Sequence, residues 1–310
     1  MSVDYKILVG NCLDTLKTLD DQSVNCCVTS PPYFNLRNYN NNEQIGLEES
    51  PKEFVNALVK VFREVKRILR DDGTLWLNLG DSYSGSGKGG NNKKWEHSQG
   101  IKSRVVYEGL KVKDLIGIPW LVAFALQKDG WYLRQDIIWN KPNAMPESVK
   151  DRCTKSHEYI FLLSKSAKYF YDYESIRENS VDPDGTRKRL ETPVFAGPKH
   201  ESGGYSGTGA KHTAGIKSFD GKRNKRSVWS VTTKSYNKAH FATYPPDLIK
   251  PCILAGCPEG GVVLDPFGGS GTTAEVALSL ERNAILCELN KDYVDIIKHR
   301  LSSLQTSLNI

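Results

Sequence analysis

The sequence predicts an α/β protein: a doubly wound parallel sheet whose strands come from both ends of the chain, with an irregular basic insert between them. Three observations lead there. Near the C-terminus the apolar run G-V-V-L-D-P-F precedes the glycine-rich F-G-G-S-G-T-T. A stretch with helical spacing follows, T-A-E-V-A-L-S-L-E-R, and then a second apolar run, N-A-I-L-C-E, ending on Glu288. In this unit glycines let the backbone approach a ligand, and an acid about 20 residues on takes a ribose hydroxyl. Two strands do not make such a sheet, and the N-terminal half carries more runs of the same kind. Between the two halves the periodic pattern fades, beyond about residue 175.

The elements follow in order. Y-K-I-L-V-G reads as a strand, C-L-D-T-L-K-T-L as a short helix, and V-N-C-C-V-T as a second strand. In P-K-E-F-V-N-A-L-V-K-V-F-R-E-V-K-R-I-L-R the apolar positions Phe54, Leu58, Val61, Phe62, Val65 and Leu69 share one helical face. Pro51 suits its first turn, and D-D-G is expected to end it. G-T-L-W-L-N-L-G-D-S-Y is the next strand, and S-G-S-G-K-G-G-N-N-K-K a loop. K-D-L-I-G-I-P-W-L-V-A-F-A-L-Q-K-D-G reads as a helix ending at Gly130. W-Y-L-R-Q-D-I-I-W-N-K-P and H-E-Y-I-F-L-L-S-K-S are two more strands. K-D-Y-V-D-I-I-K-H-R-L closes the chain as a helix. If G-V-V-L-D-P-F and V-N-C-C-V-T flank the reversal of strand order, the two loops after them face one crevice.

Composition narrows the class. With 310 residues, 39% hydrophobic and 25% charged, the chain buries a core of one large domain. It has no run of about 18 apolar residues, as a membrane helix requires. Its N-terminus lacks a signal-peptide shape. The seven cysteines are scattered without a CxxC pair, which reads as reduced thiols in a cytoplasmic protein. The six histidines show no metal spacing, so no metal is expected. Net charge is +6, but residues 181–240 hold 12 Lys+Arg against 5 Asp+Glu, +7, which leaves the rest near 6 − 7 = −1. A basic, Gly-rich segment is either a solvated loop or a phosphate-contacting surface.

The second strand ends in T-S-P-P-Y-F, residues 29–34. Two prolines fix φ and give no backbone donors. They make a stiff elbow that can hold an acceptor and an aromatic ring in place.

T-S-P-P-Y together with D-P-F-G-G-S-G-T-T resembles the S-adenosylmethionine-dependent DNA amino-methyltransferases, which methylate cytosine N4 or adenine N6. The order of the two motifs resembles the circularly permuted beta class. The resemblance spans roughly residues 3–175 and 226–305 and implies a Rossmann-like methyltransferase sheet. It divides the chain into residues 1–175 with the target-amine motif, 176–235 as a target-recognition insert, and 236–310 with the cofactor-binding part. It implies that Asp265, Phe267, Gly268, Gly269 and Gly271 form the cofactor loop and that Glu288 takes the ribose. H-F-A-T-Y-P-P resembles the element closing over the methionine moiety, through Phe241 and Tyr244. V-G-N-C-L-D resembles the segment beside the adenine, where Asn11 stands in place of the family's usual Asp. Trp139 and Lys141 of I-I-W-N-K-P-N resemble a wall of the target-base pocket; the other reading of Trp139 is a core residue.

An exocyclic amine is a poor nucleophile because its lone pair is delocalised into the ring. Acceptors on its N–H bonds free that pair, and Ser30 Oγ and the Pro31 carbonyl, held by Pro32, suit the task. Tyr33 offers a ring for a base rotated out of the duplex. Phe34 is either a second platform or core. Ser30, where adenine enzymes of the family commonly carry Asp, points to cytosine N4. Asp81 either orients pocket groups or caps the loop after its strand. Arg223, Lys225 and Arg226 are candidate phosphate contacts.

The resemblance implies duplex DNA as partner. It leaves open a separate restriction endonuclease and a homodimer. The competing readings are an adenine-N6 enzyme, a dinucleotide-dependent oxidoreductase built on the glycine loop, and a non-catalytic nucleic-acid-binding module. The oxidoreductase leaves S-P-P-Y unexplained, and a binding module has no need of S-adenosylmethionine.

Overall fold

The computed structural model describes residues 3–38, 41, 43–85, 105–180, 220–233 and 244–308. In chain order the elements are β1 (Tyr5–Val9), α1 (Cys12–Lys17), β2 (Val24–Thr29), α2 (Pro51–Ile68), β3 (Leu69–Leu79), α3 (Ile118–Lys128), β4 (Tyr132–Asn140) and β5 (His157–Ser164). Then come β6 (Glu178–Asn179), β7 (Lys222–Arg223), β8 (Val228–Ser230), α4 (Pro246–Gly256), β9 (Val262–Asp265), α5 (Thr272–Ser279), β10 (Asn283–Glu288) and α6 (Lys291–Leu308).

Helix α2 shows how pattern becomes packing. Ser50 accepts from the Glu53 amide at 3.2 Å, capping the first turn, and Pro51 occupies the position where a missing N–H costs nothing. Phe54, Leu58, Val61, Phe62, Val65 and Ile68 are fully buried. Burial of side chains this size contributes about 1.5–3 kcal/mol each, so the apolar face, more than intrinsic propensity, holds the helix. D-D-G does not end it. The helix stops at Ile68, and Leu69 turns directly into β3, pairing with Val24. Arg70–Gly73 then form a bulge before Thr74 pairs with Cys26. Gly73 sits where a Cβ would lie 3.0 Å from the Arg70 carbonyl oxygen and 3.1 Å from that of Asn25, so the bulge needs a residue without one.

Helix α3 begins at Ile118, later than the apolar spacing suggests. Its N-terminal amides at Gly117 and Ile118 are capped by the carboxylate of Asp81, at 3.0 to 3.1 Å. Asp81 therefore caps the loop after its strand, accepting the Ser82 amide at 2.9 Å, and also caps a helix 36 residues away in sequence.

The main sheet runs β1-β10-β9-β2-β3-β5-β4-β8. All its pairings are parallel except those of β5, which is antiparallel to β3 and β4. The two halves of the chain meet where β2 pairs with β9, Cys26 opposite Val263 and Cys27 opposite Leu264. From there β3 lies on one side and β10 on the other, so the strand order reverses between β2 and β9 and the crevice opens above their C-terminal ends.

The chain forms two compact units, one of residues 1–175 with 226–310 and one of residues 176–225. The boundary falls ten residues before the expected 235, because β8 joins the edge of the main sheet beside β4. Within the second unit, β6 and β7 pair antiparallel, and Arg177 and Asp220 form an ion pair. No helix among the described residues is long and apolar enough to cross a membrane.

Candidate active site

Asp265 ends β9 and is 1% exposed. Its carboxylate accepts from Thr29 Oγ1 at 2.6 Å, the Phe267 amide at 3.0 Å, the Tyr244 hydroxyl at 3.0 Å and Thr273 Oγ1. Burial raises its pKa and these four donors pull it back. The side chain expected in the cofactor loop thus faces inward: it ties the end of β2 to the start of α5 and to the segment before α4. Tyr244, expected over the methionine moiety, spends its hydroxyl on Asp265 and Thr273, and burial drives its pKa well up. Phe241 lies outside the described residues.

The glycines of the loop have distinct reasons. A Cβ on Gly268 would lie 3.1 Å from Leu286 Cβ and 3.2 Å from the Cys287 carbonyl oxygen, so that glycine fits the loop against β10. Gly271, with φ +81°, lies under Ile297 of α6. Gly269, with φ +51°, aims its amide at Glu288 Oε2, 2.7 Å away. Phe267 is partly buried against the core.

Glu288, at the end of β10, accepts from Gly269 and, through Oε1, from the Asn290 amide at 2.8 Å. Burial pushes its pKa up to about 7. A carboxylate has about four acceptor positions, so these two bonds leave room for a pair of vicinal hydroxyls, the donors a ribose offers. The Glu288 carbonyl takes the Gly10 amide at 2.9 Å, which sets the start of α1 beside it. Asn11 caps that helix, its Oδ1 accepting from the Leu13 amide at 3.0 Å. Its side-chain oxygen is committed to α1, a local role the sequence reading did not give it.

Across the crevice, Ser30 follows the end of β2 half-buried, and Pro31 is buried. The Tyr33 hydroxyl donates to Glu158 Oε2 at 2.6 Å and lies 3.1 Å from Asn78 Oδ1. Its ring covers Gly80 so closely that a Cβ there would meet Tyr33 Cε2 at 2.5 Å. Phe34 is core, 2% exposed and tilted against Phe54 and Tyr107. Lys141 forms an ion pair with Glu158 Oε1, and its ammonium lies 4.2 Å from the centre of the Trp139 ring. Trp139 itself is 4% exposed, its indole N–H donating to the Val231 carbonyl at 2.8 Å. It supports Lys141 from within and is not exposed for a base to stack on.

Glu158 and Asn78 were not singled out in the sequence. The parallel strands present their C-terminal ends to the crevice, but β5 is antiparallel and so presents its beginning, His157 and Glu158. An acid at the head of an otherwise apolar strand was the available signal. Of the candidate phosphate contacts, Arg223 is paired with Glu178 at 3.0 Å across the antiparallel β6–β7 pair, so a phosphate would have to displace that carboxylate. Lys225 ends the second unit and Arg226 opens the return to the main one.

Comparison with known proteins bears on this arrangement. A family described as DNA methylase, the N6/N4 methyltransferases, matches residues 24–299. The type II methyltransferase M.Cfr9I of Citrobacter freundii is 48% identical over 302 residues, 96% of this chain and 88% of its own length. M.SmaI of Serratia marcescens is 46% identical, over 96% of this chain and 90% of its own. Among solved structures, the PvuII cytosine-N4-specific DNA methyltransferase superposes with a TM-score of 0.65 at 18% identity, covering 97% of this chain and 87% of that one, which shows the shared fold. A Thermus thermophilus protein, solved in complex with S-adenosyl-L-methionine, does so with a TM-score of 0.57 at 22% identity, covering 97% and 95%. A permuted sheet with a glycine loop on one side of its crevice and S-P-P-Y on the other therefore has a family: the chain belongs to the N6/N4 DNA methylases, as a DNA methyltransferase of type II.

Proposed function

We propose that this chain transfers a methyl group from S-adenosylmethionine to the N4 amine of a cytosine rotated out of duplex DNA. The observation that carries the reading is Ser30 directly after β2, the strand that pairs with β9, whose own end leads into the glycine loop. S-adenosylmethionine supplies an electrophilic methyl on a sulfonium. Glu288 and the loop of Gly268, Gly269 and Gly271 hold it. Ser30 Oγ and the Pro31 carbonyl accept the amine's hydrogens, which favours rehybridisation of the nitrogen and gives the departing proton a first acceptor. Neither is a strong base, so orientation and exclusion of water supply most of the acceleration. Tyr33 provides the ring against which the base packs, worth about 1–3 kcal/mol and comparable to the cost of extrusion.

The M.Cfr9I and M.SmaI relatives are named as type II methyltransferases, which supports a restriction endonuclease as a separate partner and the cytoplasm as the place of action. Incubation of unmodified DNA with methyl-labelled cofactor, followed by nucleoside analysis, should yield N4-methylcytosine. N6-methyladenine in its place would assign the chain to the other half of the family.

A further inference from the structure

Three elements that a sequence reading treats separately meet at one carboxylate. Glu158 Oε2 accepts from Tyr33 of S-P-P-Y at 2.6 Å, and Oε1 pairs with Lys141 of W-N-K-P. Its strand sets it opposite Trp139, whose ring lies under the Lys141 ammonium. The Glu158 and Lys141 side chains are 15% and 19% exposed, so the pair is largely out of water. Asn78 completes the seat: it is 3% exposed, anchored by its amide on the Tyr159 carbonyl at 3.0 Å, and holds Oδ1 3.1 Å from the Tyr33 hydroxyl. Gly80 leaves the Tyr33 ring its place from below.

We propose that Glu158 is a positioning residue for methyl transfer, coupling the Tyr33 platform to Lys141 so that both walls of the target-base pocket are fixed before DNA arrives. The proposal rests on the reading of S-P-P-Y and W-N-K-P as that pocket. The chemistry requires an anion here. Tyr33 brings one donor and Lys141 three, and a single carboxylate offers an oxygen to each. A second lysine, Lys155, faces the same group: its ammonium donates to the Asp81 carbonyl at 2.6 Å, burial lowers its pKa, and Asp81 and Glu158 pull it back up. Without Glu158, the largely buried Lys141 ammonium loses its paired carboxylate and the Tyr33 hydroxyl loses its shorter anchor. The ring then gains freedom in a site where a displacement of about 1 Å can cost about 100-fold in rate. Among the described residues the Glu158 side chain bonds only to Tyr33, Asn78 and Lys141. No hydrogen bond or ion pair among the described residues ties its side chain to Glu288 or the glycine loop.

The test uses the full chain, unmodified genomic DNA and methyl-labelled cofactor. Glu158→Gln keeps the volume and an acceptor for Tyr33 but loses the charge. It should lower the single-turnover rate about 10- to 100-fold, with cofactor Kd and melting temperature near wild type. Glu158→Asp should recover part of the loss. In a Tyr33→Phe, Lys141→Met background the same Glu158→Gln change should have no further effect, because the groups it positions are gone. An unchanged rate in Glu158→Gln overturns the proposal. So does an equal further loss in both backgrounds, which marks a merely structural side chain. Wild-type protein that transfers no label to DNA overturns the underlying function first, and the proposal with it.

Discussion

Ser30 and Glu288 lie on either side of β9, one after β2 and the other at the end of β10, and they predict separable failures. Ser30→Ala removes an acceptor from the amine and nothing from the cofactor, so cofactor Kd should hold while kcat falls about 10²- to 10⁴-fold, the span of a positioned proton acceptor. Unchanged turnover would take Ser30 out of the mechanism. Glu288 predicts a pH dependence. Its pKa stands near 7 because it is buried, and ribose hydroxyls donate to the anion. Cofactor affinity should therefore fall as pH drops through about 7, approaching about tenfold per unit below it. Stability of the free protein runs the other way. A carboxyl whose folded pKa is raised stabilises the fold below its ordinary value of 4.5, and that contribution is lost as pH rises through about 7. Glu288→Gln should flatten both curves. Titrations and melting curves from pH 5 to 8.5 check this, and a pH-independent Kd in the wild type would remove Glu288 from the ribose site.

At the scale of elements, the strands and helices around the glycine loop were legible because the pattern that makes them is local: short apolar runs, one glycine loop, one amphipathic face. What was not legible depends on partners distant in sequence. The start of α3 is set by Asp81, far upstream. D-D-G reads as a helix stop, yet Leu69 is drawn into β3 by pairing with Val24. Glu158 stayed hidden because the direction of β5 cannot be read from its own composition. The site shows the same division. The motifs lie at the strand ends, but Asp265 and Tyr244 bond to each other within the wall, and Trp139 is core. Two predictions belong here. Asp81→Ala should cost about 0.5–2 kcal/mol by loss of the α3 cap, and Asp81→Asn less, measured by urea denaturation. Gly268→Val should destabilise the protein as well as weaken cofactor binding, because its Cβ meets β10 before it meets any ligand. A variant of normal stability and normal affinity would refute the loop packing.

At the scale of the whole molecule, the net charge of +6 resides in one region: residues 181–240 carry +7 and the remainder about −1. Charge so placed predicts where DNA phosphates are met, independently of base chemistry. The second unit tempers the expectation. Arg177 is paired with Asp220 and Arg223 with Glu178, so part of its positive charge is already answered. Replacing Arg223, Lys225 and Arg226 with Ala together should weaken binding to all duplexes alike, and reduce the salt slope by roughly 0.9 for each phosphate no longer neutralised. Arg223→Ala alone should reduce it by less than one phosphate's share, since Glu178 competes for the guanidinium. The preferred site should stay the same, because phosphate contacts carry no sequence information. Binding measured at several salt concentrations, with unmodified genomic fragments and scrambled duplexes, decides the matter. An unaltered slope in the triple variant would move the DNA surface off this segment. A changed set of methylated sites would mean instead that these side chains read bases in the major groove, where arginine pairs with guanine.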